Sequence, residues 1–380
     1  MSEPRRIVFL TGTRADFGKL KSLIEVVLDE PGFEAHIFAT GMHMNSRYGR
    51  TVDEIQKCGY PNIYSYINHH DYDSMDSILA KTIEGFSGYV KELMPDLVVI
   101  HGDRVEALAG AIVGALNNIL VAHVEGGEVS GTIDELVRHA VSKMSHVHFV
   151  ANEIASKRLQ QMGEKHESIF VIGSPDVDVM LSNRLPTLET VKEHYEIPFD
   201  KYGIVMFHPV TTEYDQVFDQ AGNLVRALIE SGKQFVVVYP NNDMGSEFIL
   251  QRFKEFNNNP DFILFPSLRF EYFLVLLKHA EMIVGNSSAG IREAPYYGIP
   301  TVNIGTRQMN RSLLEQIVNT GYGKDEILQA IQQLSDVRME PAQLFGEGKS
   351  DELFISALRD NRFWEIPKQK YFMDYRGAQA

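Results

Sequence analysis

The stretch DLVVIHGDRVEALAGAIVGALNNILVAHVEGG, residues 96–127, places a short apolar run on each side of a longer apolar segment. The two runs, DLVVIHGD and ILVAHVEGG, are rich in Val and Ile and do not alternate with polar residues. That composition is typical of strands that are buried on both faces. The segment VEALAGAIVGALNN between them is long enough for a helix. A strand, a helix and a strand in this order predict a parallel β-α-β unit.

The same alternation extends along the chain and predicts its fold class. Further apolar runs lie at residues 6–12, 33–41, 146–152 and 169–175, and a second set lies at 202–209, 234–241, 261–267, 281–288 and 299–305. Helical patterns separate them. The sequence therefore predicts an α/β protein with two Rossmann-like, doubly wound domains.

The boundary between the two sets falls in a proline-containing segment that runs from SPDVDVM to DKYG. A chain of 380 residues is also long enough for two domains of ordinary size. We expect one domain over residues 1–175, a second over 176–361, and a C-terminal segment over 362–380 that packs on the first domain or crosses back to it. Two such domains that face each other would line a shared cleft with the carboxyl ends of their strands.

Composition limits the partners of the protein. The net charge of −15 is unfavourable for binding nucleic acid or an anionic membrane. No run approaches the ~18 apolar residues of a membrane helix, and the N-terminus lacks the apolar stretch of a signal peptide. Cys58 is the one cysteine, so an internal disulfide is impossible. We expect a cytoplasmic protein without nucleic-acid or membrane partners.

Polar, reactive residues follow nearly every predicted strand. The endings are TGTRAD, GMH, HGDR, VEGGE, HPVTTE, YPNND and GNSSAGIRE. One such ending is common in any soluble protein, whereas seven in one chain indicate a single ligand-binding cleft.

The ending GNSSAGIRE favours a phosphate site. Its strand ends at Val284, and Ser287 and Ser288 lie where a helix begins. A serine at the N-cap stabilises a helix by ~1 kcal/mol, so capping alone would explain these serines without a ligand. Alternatively, the free N–H groups of the helix start bind a phosphate, and Glu293 accepts hydrogen bonds from two ribose hydroxyls.

Two other endings carry candidate phosphate ligands. In TGTRADFGKL, Gly12 permits a turn and Arg14 projects from it as a bidentate donor. The glycine spacing is not that of a dinucleotide-binding motif, and the chain contains no P-loop sequence. His208 ends a strand, precedes a proline, and is a candidate donor to a diphosphate.

Candidate catalytic carboxylates follow the strands of the opening stretch. Asp103 and Glu125 each come directly after a buried run. A carboxylate that loses water costs free energy unless an ion pair or a reaction uses it. For Glu125 both interpretations stay open. Gly126 and Gly127 would let a bulky group approach closely.

A third carboxylate lies at the start of the next helix. Thr132 and Glu135 have the spacing of a capping box, which predicts a helix that begins at Ile133. Asp134 then lies in the first turn, where the helix dipole favours its ionised form and Arg138 is within pairing distance. Asp134 is either a surface acid that stabilises the helix or a catalytic group.

The remaining histidines give no sign of a metal. His69, His70 and Asp71 lie in a polar loop, and we interpret them as solvated. His146 and His148 alternate along a strand. Because no Cys/His cluster has zinc spacing, we predict neither a catalytic metal nor a cofactor.

Taken together, these motifs resemble those of the hydrolysing UDP-N-acetylglucosamine 2-epimerases. The resemblance runs over roughly residues 6–335, and HVEGGEVSGTIDE is its most specific part. It implies the two-domain glycosyltransferase-B architecture and the release of UDP and N-acetylmannosamine, the first step of sialic acid synthesis. It also implies a homodimer or homotetramer that associates through the first domain.

The resemblance assigns roles residue by residue. The catalytic residues it implies are Asp103, Glu125, Asp134 and, as a sugar-side or acid–base residue, His43. The UDP contacts it implies are Arg14, Arg104, His208, Asn241, Ser287, Ser288, Glu293 and Arg307. Some members carry Ser where this chain has Gly18, so a side-chain contact there is missing.

Several related functions remain open. The alternative within the class is a hydrolysing epimerase of UDP-2,4-diacetamido-2,4,6-trideoxyhexose in legionaminic acid synthesis. A non-hydrolysing epimerase is disfavoured by the EGGEVSGTIDE sequence. A glycosyltransferase on the same fold would need an acceptor cleft. A non-enzymatic UDP-sugar sensor would leave the three carboxylates without a use.

Overall fold

A computed structural model describes residues 3–68, 73–130, 133–241, 243–308 and 316–374. The chain forms two compact units. The first comprises the described residues of Met1–Glu128, Asp134–Leu181 and Phe345–Ala380, and the second those of Val129–Ile133 and Ser182–Leu344. Each unit has its own sheet and its own apolar core.

The sheet of the first unit has seven strands, and every neighbouring pair is parallel. The strands are β1 (Arg5–Thr11), β2 (Phe33–Ala39), β3 (Ile63–Ser65), β4 (Leu97–His101), β5 (Leu120–Val124), β6 (Val147–Val150) and β7 (Ile169–Val171). Their order is β3-β2-β1-β4-β5-β6-β7. The order reverses direction between β1 and β4, and ligands of open α/β sheets bind beyond the carboxyl ends of the strands at such a point.

The second unit repeats this pattern with six parallel strands. They are β8 (Gly203–Met206), β9 (Phe235–Val238), β10 (Phe262–Phe265), β11 (Ile283–Gly285), β12 (Thr301–Ile304) and β13 (Ile317–Thr320). The order β10-β9-β8-β11-β12-β13 reverses between β8 and β11. The predicted α/β class with two doubly wound parallel sheets is therefore confirmed.

Helices connect the strands, as parallel pairing requires. They are α1 (Arg14–Leu28), α2 (Val52–Lys57), α3 (Met75–Leu93), α4 (Val105–Leu116), α5 (Ile133–Met144), α6 (Glu153–Gln161), α7 (Pro175–Leu181), α8 (Leu188–Tyr195), α9 (Val217–Glu230), α10 (Ser246–Phe253), α11 (Phe270–His279), α12 (Ala289–Arg292), α13 (Lys324–Gln333), α14 (Ser350–Arg359) and α15 (Asn361–Trp364). Over the described ranges, none of them is both long and apolar enough to cross a membrane.

The C-terminal part of the chain belongs to the first unit. Phe354 of α14 and Phe363 of α15 lie in its core, and the ring of Phe354 is centred 4.7 Å from that of Phe149 on β6. Farther along, Lys370 donates a hydrogen bond of 2.6 Å to the carbonyl oxygen of Ser145. This part of the chain therefore completes a core that the first strands begin.

The units divide at different residues from the expected domain boundaries of 175/176 and 361/362. The divisions fall after Leu181 and before Phe345. The reason is Asp178 of α7, whose carboxylate accepts hydrogen bonds from Ser22 on α1 and from the backbone N–H of Ser350 at the start of α14. These contacts keep α7 and α14 in the first unit.

Candidate active site

His101, at the end of β4, lies between two carboxylates in the first unit. Its Nε2 is 2.9 Å from Oε2 of Glu125, which follows β5, and its Nδ1 is 3.0 Å from Oδ1 of Asp16 on α1. Burial alone would lower the pKa of His101, but the charges and hydrogen bonds of Glu125 and Asp16 outweigh burial and raise this pKa to about 9. His101 is therefore an imidazolium at neutral pH.

Glu125 has further partners besides His101. Its Oε1 accepts a hydrogen bond from the hydroxyl of Ser174, and its Oε2 is 3.8 Å from Nζ of Lys19. Lys19 also lies 3.0 Å from Oδ2 of Asp176. The carboxylate of Glu125 is thus buried with two cations nearby, so the ion-pair interpretation is realised.

The backbone at Glu125 is in the left-handed region, with φ of +65°. Such a conformation is uncommon for a non-glycine residue and is often retained at functional sites. The two glycines that follow do not leave space open as we expected. A Cβ on Gly127 would lie 2.4 Å from the carbonyl oxygen of Ala155, and one on Gly126 would lie 2.9 Å from Nδ1 of His123. Close packing of this loop against its own unit therefore explains both glycines.

Asp103 lies one residue beyond Gly102, at the end of the neighbouring strand β4, and pairs with a buried arginine. Its Oδ2 accepts a hydrogen bond from Nη2 of Arg138 on α5. Arg138 is 1% exposed and also lies 3.4 Å from Oε2 of Glu135. Burial would lower the pKa of Arg138, but Asp103 and Glu135 outweigh it and raise this pKa. The side chain of Asp103 is 27% exposed, so it remains accessible to a ligand.

Asp134 lies in the first turn of α5, which begins at Ile133 as the sequence predicts. The capping partner that we expected, Thr132, lies outside the described residues. Glu135 contacts Arg138 and lies 3.2 Å from Nε2 of His139. Arg138 connects Asp103 to this first turn, so the structure brings the Asp134 turn to the strand end that carries Asp103.

His43 is fully buried in the structure. Its Nε2 is 3.0 Å from the hydroxyl of Thr11, and its Nδ1 is 2.6 Å from that of Thr51. Burial lowers the pKa of His43 to about 4. The ring is therefore neutral, and the hydrogen bonds of both its nitrogens to threonine hydroxyls support the loop after β2. The acid–base role of His43 stays a prediction, and no contact of the ring favours it.

The two predicted arginine ligands of the first unit lie on the two sides of its switch point. Arg14 begins α1, and its Nη2 is 2.7 Å from Oε1 of Glu54. Arg104 directly precedes α4, and its Nε is 3.4 Å from Oε2 of Glu106. Both side chains therefore stand at loops where the fold type places ligands.

In the second unit, Asn286 joins the two loops at the switch point. Its side-chain oxygen accepts a hydrogen bond of 2.7 Å from the backbone N–H of His208, and its side-chain nitrogen donates one of 2.8 Å to the carbonyl oxygen of His208. Nδ1 of His208 accepts from the backbone N–H of Asn241 at 3.0 Å. An acceptor Nδ1 makes Nε2 the protonated nitrogen of a neutral ring, which suits a donor to a phosphate oxygen.

The loop after β12 meets the same asparagine. Nη1 of Arg307 donates to the carbonyl oxygen of Asn286 at 3.3 Å, and Nε2 of Gln308 donates to it at 2.9 Å. The structure thus brings His208, Asn241 and Arg307 together around Asn286.

Ser287 and Ser288 precede α12, as the sequence predicts. The hydroxyl of Ser287 accepts a hydrogen bond of 3.3 Å from the backbone N–H of Ala289. The helix has only four residues, so its dipole is smaller than we expected, and Glu293 follows at its end with 3% exposure. The N-cap residue of α12 is Ser288, whose side chain makes no capping hydrogen bond, so the capping interpretation is not realised there, and the contacts of both serines with UDP stay a prediction.

Comparison with known proteins places the chain in a family. The profile of the family described as UDP-N-acetylglucosamine 2-epimerase matches residues 26–359. The chain belongs to the UDP-N-acetylglucosamine 2-epimerase family. A UDP-N-acetylglucosamine 2-epimerase of Neisseria meningitidis serogroup B is 50% identical over 374 residues, which are 97% of this chain and 99% of that protein.

Two further comparisons concern more distant members. A Legionella pneumophila protein named UDP-N,N'-diacetylbacillosamine 2-epimerase (hydrolyzing) is 34% identical over 93% of this chain and 96% of its own length. The crystal structure of a Methanocaldococcus jannaschii UDP-GlcNAc 2-epimerase in complex with UDP-GlcNAc and UDP superposes with a TM-score of 0.81 at 23% identity. It covers 93% of this chain and 99% of that one, and it confirms the fold.

Sequence reasoning missed the partners that hold the predicted site residues within each unit. They are His101, Asp16, Lys19, Ser174 and Asp176 in the first unit and Asn286 in the second. A signal was present for three of them, because Asp16, His101 and Asn286 lie inside the strand endings TGTRAD, HGDR and GNSSAGIRE. His69, His70 and Asp71 lie outside the described residues. In the part of the chain that the structure describes, no group of three His, Cys, Asp or Glu side chains is arranged to bind a metal.

Proposed function

We propose that this member of the UDP-N-acetylglucosamine 2-epimerase family is a hydrolysing enzyme. It converts UDP-N-acetylglucosamine and water to N-acetylmannosamine and UDP, and so supplies the first step of sialic acid synthesis. The Neisseria relative's name, at 50% identity, supports the substrate, and the Legionella relative's name supports hydrolysis. The protein acts in the cytoplasm as a homodimer or homotetramer, as the sequence resemblance implies.

One observation carries the proposal: two carboxylates at adjacent strand ends, each paired with a cation. Asp103 contacts Arg138, and Glu125 contacts His101. The cations favour the ionised carboxylates, which are the forms that stabilise positive charge and accept a proton. A protein that only binds UDP-sugar has no use for two such groups.

The first step is elimination of UDP. The proton on C2 is not adjacent to a carbonyl group and is barely acidic, so the bond between C1 and the diphosphate oxygen breaks first or nearly first. Its electron pair leaves with UDP, and C1 gains oxocarbenium character. Asp103 stabilises that charge and takes the C2 proton. The C–H electrons form the C1–C2 double bond of 2-acetamidoglucal.

The second step is hydration of the glycal. A carboxylate accepts a proton from water, the hydroxide oxygen bonds to C1, and the double-bond electrons take a proton at C2 from the opposite face. The inverted C2 gives N-acetylmannosamine. We assign Glu125 and Asp134 to this step. Two groups are needed because one must donate a proton while the other accepts one.

The polar loops supply the contacts to UDP. His208 donates from Nε2 to the diphosphate, and Arg14, Arg104 and Arg307 offer guanidinium donors to it. Further contacts come from Asn241 and from the serines that precede α12, and the carboxylate of Glu293 accepts hydrogen bonds from the ribose. Stabilising the diphosphate as it leaves lowers the barrier to elimination.

The deciding experiment is proton NMR of the purified protein with UDP-N-acetylglucosamine in deuterated water. We expect free N-acetylmannosamine with deuterium at C2 and one equivalent of released UDP. UDP-N-acetylmannosamine, whose C1 proton still couples to phosphorus, would instead identify a non-hydrolysing epimerase. Unchanged substrate would overturn the proposal.

A second candidate substrate is UDP-2,4-diacetamido-2,4,6-trideoxyhexose, which the name of the Legionella relative favours. The identity to that relative is 34%, against 50% for the Neisseria epimerase. We therefore expect kcat/KM for UDP-N-acetylglucosamine to exceed that for the diacetamido sugar. The reverse ratio would assign the enzyme to legionaminic acid synthesis.

A further inference from the structure

His101 has contacts that the proposed chemistry has not used. Nε2 lies 2.9 Å from Glu125 and Nδ1 lies 3.0 Å from Asp16, so each ring nitrogen faces one carboxylate oxygen. A neutral imidazole carries one N–H and would face the other carboxylate with a lone pair. A doubly protonated ring presents an N–H and a positive charge to both carboxylates, and its Nε2 is within hydrogen-bond distance of Glu125. The two flanking carboxylates therefore favour the imidazolium form.

Asp16 connects this ring to the loop after β1. The Oδ2 of Asp16 accepts a hydrogen bond of 2.9 Å from the backbone N–H of Gly12, and its own backbone N–H donates to Thr13 at 3.1 Å. Arg14, which follows Thr13 in this loop, is a predicted diphosphate ligand. His101 thus lies between the loop that carries this arginine and the carboxylate of Glu125.

The groups around the His101–Glu125 ion pair do not replace the positive charge of His101. Within the described parts of the chain, the titratable groups around it include Asp16 and Lys19 of α1, His123 of β5 and Asp176 of α7. Burial lowers the pKa of His123 to about 3, so its ring is neutral. Lys19 is 3.0 Å from Asp176 and 3.8 Å from Glu125, so its charge is shared. Of the two cations that the described residues place beside Glu125, His101 is the nearer, at 2.9 Å against 3.8 Å for Lys19.

We propose that His101 is a positioning residue: its imidazolium keeps Glu125 ionised, orients the carboxylate, and ties it to the loop after β1. The inference rests on the proposed function, because it assumes that Glu125 is the carboxylate that accepts the proton from water in the hydration step. The high pKa of His101 agrees with it, since a group with a pKa of about 9 is charged throughout the neutral range.

The test is the pH profile of kcat/KM for the His101→Gln variant. Glutamine keeps a neutral donor near Glu125 and removes the positive charge. Without the cation the pKa of Glu125 rises, so the base is protonated at a higher pH. We expect the acidic limb to move upward by about one pH unit, with kcat about 10- to 100-fold lower.

Three variants complete the experiment. His101→Lys restores a cation and should return the acidic limb toward its wild-type position. Glu125→Gln should lose turnover at every pH. His139→Gln makes the same substitution at a ring that is about half exposed on α5, and its profile should match the wild type. Lower activity of His101→Gln with an unmoved acidic limb would make His101 merely structural and overturn the proposal.

A second measurement is independent of activity and of the folding of any variant. Nitrogen-15 NMR of the histidine rings in the wild-type protein should show His101 with both nitrogens protonated at pH 7.5. A neutral tautomer at that pH would overturn the proposal. If the wild-type protein leaves UDP-N-acetylglucosamine unchanged, the proposed function fails, while this spectrum still decides the state of His101.

Discussion

At the scale of single residues, Arg138 shows how a buried charge is held. Its guanidinium is almost fully buried, yet it contacts Asp103 and Glu135 and donates to the carbonyl oxygen of Glu128 at 3.1 Å. A buried cation that loses one anionic partner keeps its desolvation cost, so removing a partner is more harmful than the strength of the pair suggests. The two acids share this structural task, but only Asp103 lies at a strand end.

This difference predicts different effects for two matched substitutions. Asp103→Asn and Glu135→Gln each remove one negative charge beside Arg138. We expect each to lower the free energy of unfolding by about 1 kcal/mol, because both acids are partly exposed and screened by water. Asp103→Asn should also lower kcat by about 10²- to 10⁴-fold, whereas Glu135→Gln should stay within a few-fold of the wild type.

Urea unfolding measures the change in the free energy of unfolding, and steady-state UDP release measures the change in kcat. Equal losses of kcat in the two variants would show that Arg138, and not the carboxylate at the strand end, is what the reaction needs. A large loss in stability for Asp103→Asn alone would show that Glu135 is no real partner of the guanidinium.

At the scale of elements, the turn after β5 shapes the site through close backbone packing. The left-handed Glu125 is followed by Gly127, which has φ of +76° and packs against the first turn of α6. The carbonyl oxygen of Gly127 also accepts a hydrogen bond of 3.2 Å from Arg158. The direction of the Glu125 side chain therefore depends on how tightly this turn meets α6.

Adding one methyl group tests that dependence. Gly127→Ala places a Cβ against backbone atoms that cannot move aside, in a conformation that favours glycine, and should lower the free energy of unfolding by about 1–3 kcal/mol. Gly88→Ala is the control, because Gly88 is exposed on α3 with no atom near the added Cβ, and it should stabilise by up to ~1 kcal/mol. Thermal unfolding compares them. Equal melting temperatures for Gly127→Ala and the wild type would contradict the packing argument.

The elements themselves could be predicted from the sequence to a large extent. All eleven predicted strands form, because each carries a continuous apolar run, including β7 and β10 at the sheet edges. The two that were missed, β3 and β13, are edge strands with partly exposed residues, so they lack a continuous apolar run. The start of α5 at Ile133 was also predicted, from local capping residues.

The site was less predictable because its partners are distant in sequence. Asp103 and Glu125 were identified at the strand ends. The sequence around them does not indicate that Arg138 pairs with Asp103 or that Asp16 lies beside His101. Those contacts depend on the strand order, which places β1 beside β4 and β4 beside β5. His43 illustrates the reverse case, since its motif does not reveal that the ring is fully buried.

At the scale of the whole molecule, the first unit is built from both ends of the chain. Phe354 is fully buried against Phe9 of β1 and Phe149 of β6, at centroid distances of 6.4 and 4.7 Å. Phe372, farther along the same terminal segment, is 89% exposed. The stability of the N-terminal sheet therefore depends on residues that follow the second unit in the sequence.

Two truncations of aromatic side chains test this dependence. Phe354→Ala should lower the free energy of unfolding of the first unit by about 3–5 kcal/mol, and Phe372→Ala should leave it unchanged within ~0.5 kcal/mol. The single tryptophan, Trp364 of α15, reports on this unit through its fluorescence. An unshifted fluorescence transition in Phe354→Ala would show that the N-terminal sheet is stable without the terminal helix.

This arrangement has a consequence for synthesis on the ribosome. Residues 182–344 of the second unit are continuous in sequence, so that unit has all its core residues as soon as they emerge. The sheet that emerges first must wait for Phe354 and Phe363 at the far end of the chain. Domains usually mature in the order of their synthesis. Here the order is inverted, and the nascent N-terminal sheet is the part that chaperones would need to protect until Phe354 and Phe363 have emerged.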